Sequence, residues 1–170
     1  MALHEKNKMF PIIKDLDAIL YWQKDKEKRG VTGWKWGWRI HPIKKTKSWH
    51  NGIDLPALIG TPMYAPYDCL VIRLWKDSLN GNALKLFHPN NNYVVETAYA
   101  HMDHMPKYLK YCKKENILIK AGMLIGYIGD KGKTTGPHLH FVTRQSNAMQ
   151  TADGLRRDID PLSFLEDSLK

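Results

Sequence analysis

The chain of 170 residues has only two cysteines, Cys69 and Cys112. That is too few for a disulfide framework or a cysteine-rich zinc site, so both are read as free thiols. No run approaches the roughly 18 apolar residues of a membrane span, and none is expected. Internal repeats are missing, which argues against repeat architectures. The opening segment Met1–Lys6 lacks an apolar signal core; export would then use another route or a leader already removed. Acidic residues are also scarce, with 17 Asp and Glu against 26 Lys and Arg, a net charge of +9. Such a surface suits polyanions: nucleic acid, anionic lipid or an anionic wall. The basic residues are dispersed, with small clusters at Lys24–Arg29, Lys44–Lys47 and Lys107–Lys114. Nucleic-acid binding needs a known motif or aromatic–basic interleaving on one element. Only Trp34-Lys35-Trp36-Gly37-Trp38-Arg39 interleaves in this way, and it reads better as the aromatic wall of a cleft or as core. No nucleic-acid partner is expected.

What is present describes a folded domain. A hydrophobic content of 43% with 11% aromatics supports one core without covalent staples, and a monomer is favoured. Near the N-terminus, Ile12, Ile13, Leu16, Ile19 and Leu20 follow helical spacing. A charged stretch from Lys24 to Arg29 follows, and Gly30 ends it. This predicts a helical extension over residues 1–32 packed on a main domain over 33–170. From Gly33 onward the signals are those of strands. Pro66–Trp75, Ala83–His88, Tyr93–His101, Leu124–Ile128 and Pro137–Thr143 are short apolar runs bounded by turn residues. Asn80-Gly81-Asn82 and Pro89-Asn90-Asn91-Asn92 are read as hairpin connections, and Lys107–Lys114 as a short helix or an irregular insertion. The fold class is mainly β (β or α+β), with antiparallel sheets in a sandwich-like single domain and an N-terminal helix.

Four of the eight histidines join one carboxylate in a pattern with chemical content. His138 and His140 are two apart, so a strand turns both to one face. His50 and Asp54 are four apart. His101 follows Tyr99 and Ala100 at the end of a strand pattern. Imidazole and carboxylate suit zinc, and three protein ligands plus water make a catalytic site. His4 is read as disordered surface, His88 and His104 as solvated turn or loop residues, and His41 as a turn cap or a residue of the cleft rim.

In this order, His50-x-x-x-Asp54, Tyr99-Ala100-His101 and Thr134-Thr135-Gly136-Pro137-His138-Leu139-His140-Phe141 resemble the signature of the lysostaphin-type zinc endopeptidases. The resemblance runs from about Gly37 to Leu165. It takes in Gly37–Pro42, Gly60-Thr61-Pro62, Ala121–Gly126 and Asp160-Pro161-Leu162. It departs at Cys69, where the family usually has a small residue, Gly, and at Met105–Asn116, which is longer and more basic than usual. The resemblance implies hydrolysis of peptide bonds in bacterial peptidoglycan, with one zinc per chain held by His50, Asp54 and His140. His101 and His138 would be catalytic and not ligands. It further implies action at the cell wall, whether extracellular, periplasmic or phage-delivered. Gly-Gly, D-Ala–diaminopimelate and D-Ala–Gly bonds all remain open. The loops Asn80–Asn82 and Asp130–Gly136 are expected to wall a narrow groove for peptides of small residues.

Overall fold

The computed structural model describes residues 9–41, 44–91, 94–145 and 158–167. His4, Pro42, Asn92 and Tyr93, named above, lie outside them. Ten strands and three helices are present among the described residues. The strands are β1 (Gly37–Ile40), β2 (Lys47–His50), β3 (Ile53–Pro56), β4 (Pro62–Tyr64), β5 (Leu70–Asp77), β6 (Gly81–Phe87), β7 (Val94–Met102), β8 (Leu124–Tyr127), β9 (His138–Gln145) and β10 (Asp158–Ile159). The helices are α1 (Leu16–Lys28), α2 (Tyr108–Glu115) and α3 (Pro161–Asp167).

The central sheet runs β10-β9-β7-β6-β5, and β3 also pairs with β9. All of its pairings are antiparallel. Strand alternation divides the sheet into two faces. Leu84, Leu86, Tyr99, Leu139, Phe141, Ile53 and Leu55 point into the core, each at most 1% exposed. The β4–β8 pair supplies Met63 and Ile125 to the same core. The helices close it, with Leu16 and Leu20 from α1, Leu109 and Cys112 from α2, and Phe164 and Leu165 from α3. This is the expected mainly β, antiparallel arrangement.

Local departures from the sequence reading have physical reasons. Helix α1 begins at Leu16, because Asp15 adopts a left-handed conformation (φ 59°) that interrupts any earlier turn. Ile12 and Ile13, expected in the helix, precede it and pair with β4. Tyr64 N–H donates to the Ile12 carbonyl at 2.8 Å, and Ile13 bridges Met63. Both isoleucines are still fully buried. The helix continues through the charged stretch to Lys28, with Lys26 and Lys28 complementing its C-terminal dipole.

His88 is not solvated as expected. It is fully buried, and its Nε2 lies 2.9 Å from the Thr97 hydroxyl. It continues the inward alternation of Leu84 and Leu86 one step past the strand end. His104 does stand exposed in a loop, where it pairs with Asp103 and stacks on Tyr127. Cys69 and Cys112 are buried free thiols, and burial pushes the Cys69 thiol up to about 12. Such a thiol is inert at neutral pH. The Lys107–Lys114 segment forms α2, whose Leu109 and Cys112 face inward.

Candidate metal centre and its groove

The site lies on the open face of the sheet. On β9, alternation places His138 and His140 on this face, while Leu139 and Phe141 go to the core. Asp54 is directly opposite His140 on β3, and Ala100 is opposite it on β7. His50 ends β2, and Gly52 lets the next turn press onto β9. A Cβ at Gly52 would collide with the Phe141 carbonyl oxygen and come within 3.0 Å of His140 Cε1.

His101 arrives by another route. After Ala98 and Ala100, simple alternation would turn residue 101 into the core. Instead its backbone is left-handed, φ 62°, beside a register shift in the β6–β7 pairing. Such a bulge re-aims a side chain. The bulge is held by the His101 N–H, which donates to the Asn80 carbonyl at 2.7 Å.

Three donor atoms converge. His50 Nε2 is 3.1 Å from His140 Nδ1 and 3.3 Å from Asp54 Oδ1, and His140 Nδ1 is 2.9 Å from Asp54 Oδ1. Ligands about 2.0–2.1 Å from a tetrahedral zinc would stand about 3.3 Å apart, so the spacing fits. The tautomers follow from the outer partners. His50 Nδ1–H donates to the Lys35 carbonyl at 2.7 Å, and His140 Nε2–H donates to Asn51 Oδ1 at 3.1 Å. The nitrogens that face each other therefore both present lone pairs, with a carboxylate oxygen at the third corner of a triangle. Three acceptors at this range repel unless a cation joins them. Burial, the leading influence, lowers the pKa of His140 and keeps it neutral. Burial alone would raise Asp54, but the His138 hydrogen bond, the leading opposing contact, helps hold the carboxyl well below its usual range.

The other two histidines stand beside this trio. His101 Nδ1–H donates to the Lys131 carbonyl at 2.8 Å, leaving Nε2 without a hydrogen-bond partner among the described residues. Burial lowers its pKa. The rings of His101 and His138 are 4.7 Å apart. His138 faces acceptors on both sides, the Gly136 carbonyl at 2.8 Å from Nδ1 and Asp54 Oδ1 at 3.4 Å from Nε2. Burial lowers its pKa, but the hydrogen bond and charge of Asp54 overcome this and the net shift is upward.

The sequence reading missed the residues that orient Asp54. Arg39 Nη1 contacts Asp54 Oδ2 at 3.1 Å. Buried Gln23 of α1 donates to the Asp54 carbonyl at 2.8 Å, and the Asp54 N–H donates to Trp34. Gln23 shares the inward face of α1 with Leu16 and Leu20, and a polar residue on an apolar stripe was the available signal. His41 does both things expected of it: its Nδ1 accepts the Lys44 N–H at 3.1 Å, and its side chain lines the cleft.

A cavity of about 510 Å³ contains the site. Asn80 and Lys133–Thr135 line it, as expected for those loops, and Ala98 and Ala100 form its small-residue floor. Trp34 is buried, whereas Trp38 is 65% exposed on the β1–β2 hairpin and packs edge-on against Trp49. The aromatic stretch is thus partly core and partly outer surface.

Residues 48–152 match the model of Peptidase family M23. The peptidoglycan DD-endopeptidase ShyB of Vibrio cholerae is 34% identical over 146 residues, which cover 86% of this chain and 32% of that protein. The structure of a zinc containing peptidase from Vibrio cholerae shares 31% identity at a TM-score of 0.52, covering 73% of this chain and 34% of the other. The antimicrobial peptidase lysostaphin from Staphylococcus simulans shares 26% identity at a TM-score of 0.57, covering 79% of this chain and 49% of the other. The chain spans under a third of the length of the curated relatives it matches.

Proposed function

This chain belongs to peptidase family M23, and we propose that it is a zinc-dependent endopeptidase that hydrolyses peptide bonds in bacterial peptidoglycan. The observation that carries this reading is the convergence of three acceptor atoms, His50 Nε2, Asp54 Oδ1 and His140 Nδ1, within 3.3 Å of one another. They would hold one zinc ion per chain, the only group of this kind among the described residues. The names of the relatives above support the substrate class.

Bound zinc would supply an activated water near neutral pH and polarise the scissile carbonyl. The chain's own residues do the rest. His101 is neutral, with its Nδ1 proton committed to Lys131, so its open Nε2 accepts the proton of the attacking water. His138, whose two nitrogens both face acceptors, is the donor. It would hydrogen-bond the developing oxyanion and later protonate the leaving amine. Arg39, Asn51 and Lys35 fix the ligands in place, and Gln23 ties the N-terminal helix to Asp54. The floor of Ala98 and Ala100 leaves room for a peptide backbone.

Incubating zinc-loaded protein with purified peptidoglycans of different cross-bridge chemistry, followed by mass spectrometry, tests the proposal. New amine and carboxyl termini at one bond type are expected, and chelation should abolish them. Intact peptidoglycan in every digest of zinc-loaded protein would refute it.

A further inference from the structure

Beyond the metal, the groove has a charge pattern that the hydrolytic site does not use. Two residues further along the strands from His140, one row crosses the sheet. Arg73 of β5 is directly opposite Lys85 of β6, Lys85 is opposite Ala98 of β7, and Ala98 is opposite Val142 of β9. All four side chains line the cavity. Like charges in direct cross-strand register destabilise a sheet, so fold stability alone does not explain Arg73 opposite Lys85. Nearby acids are already engaged. Glu96 lies 3.9 Å from Lys85 and 3.8 Å from Arg144, and Asp158 takes the Arg144 Nε at 2.6 Å. Arg73 forms no ion pair among the described residues. Instead it lies over the Trp75 ring, 5.0 Å from its centroid. That ring is itself fixed, because Trp75 Nε1 donates to Asp77 Oδ2 at 3.0 Å. A guanidinium held over an aromatic ring makes no hydrogen bond to it, and its planar fork of N–H donors matches a carboxylate.

We propose that Arg73, assisted by Lys85, forms a carboxylate-binding subsite that selects peptides carrying a free carboxylate several residues from the scissile bond. The inference rests on the endopeptidase reading above. Three strand spacings separate β9 from β5, about 14 Å. An extended peptide advances about 3.3 Å per residue, so the carboxylate sits roughly four residues from the bond that is cut. Lying across the strands over Ala98 and Ala100, the peptide would meet the metal centre at one end and the Arg73 fork at the other.

The test uses soluble peptide fragments purified from a peptidoglycan digest, with carboxylates left free or converted to amides with ammonia and a carbodiimide. With zinc-loaded protein, the free-carboxylate fragments should show a kcat/KM about tenfold higher, as expected for one charge-assisted contact. In Arg73→Gln the preference should fall to within about twofold, with the loss carried by KM. Lys85→Gln should reduce it partially. Lys110→Gln, at an exposed position of α2, removes the same charge away from the groove and should keep the preference. Equal rates on both fragment sets in the wild type, or a preference that survives Arg73→Gln, would overturn the subsite. So would an equal fall in Lys110→Gln, which would trace the preference to net charge. If no fragment is cut, the endopeptidase reading fails on its own. Calorimetric binding of the same two fragment sets then decides the subsite, and equal affinity for both would overturn it.

Discussion

The two faces of β9 are one residue step apart and serve opposite purposes. His138, His140 and Arg144 face the groove, whereas Leu139, Phe141 and Thr143 are fully buried beneath them. Each face also has a histidine brought by another strand of the sheet, His101 from β7 and His88 from just past β6. On the groove face His101 keeps an open nitrogen beside other imidazoles. On the core face His88 is bonded to Thr97, which in turn contacts Tyr99. Both are buried and both are pushed toward the neutral form. What separates them is access: one lone pair meets a cavity and the other meets a packed core. Burial alone therefore does not distinguish a histidine open to the groove from one packed in the core; its neighbours do.

Substitutions on the two faces should separate accordingly. His140→Ala should have the largest effect, with activity falling to background, because it removes one of the three proposed zinc ligands. His101→Ala and His138→Ala come next, each expected to lower kcat by on the order of 10² to 10⁴. Steady-state kinetics on metal-loaded protein checks both, and a variant with full turnover would have its catalytic role refuted. On the core face, Phe141→Ala should cost about 3–5 kcal/mol of stability, read by urea denaturation. Its folded fraction should still bind zinc. Loss of metal affinity without loss of stability would contradict the division of the faces.

A pH titration sharpens the comparison. Burial drives the His88 pKa down to about 4, while the unfolded chain carries the ordinary value near 6.5. Between those values the unfolded state binds more protons, so stability falls as pH falls. The contribution is complete above pH 6.5, and the loss approaches roughly 3 kcal/mol near pH 4. His88→Gln should flatten the denaturation midpoint across this window, and a curve parallel to the wild type would refute the assignment. The smallest effect is ionic. With a net charge of +9, activity on an anionic wall should fall as salt rises, because the Debye length is about 10 Å at 0.1 M. Activity on a small soluble peptide should change little. Equal sensitivity on both would remove the wall-binding role of the charge.

Much of this contrast was legible in the sequence, for reasons particular to each residue. His-x-His on a β-type run fixes a shared face by alternation alone, and the five candidate site residues do meet at one place. The same rule applied to Leu84 and Leu86 would have placed His88 in the core; the adjacent Pro89 made it look like a turn residue. Strands β1 to β4 are three or four residues long and broken by Gly and Pro, so no periodicity develops. The left-handed backbone at His101 breaks alternation, and a single residue's conformation leaves no pattern in its neighbours. Gln23 reaches Asp54 across 31 positions, a pairing that only the folded chain creates.

The division of labour among the five residues is tested most directly by metal content. Elemental analysis of protein purified without chelator should give close to one zinc per chain for the wild type, His101→Ala and His138→Ala. His140→Ala should retain little. Zinc below a tenth per chain in the wild type, with no uptake on adding metal, would contradict the centre itself, and loss of zinc from His101→Ala or His138→Ala would contradict the assignment of ligands.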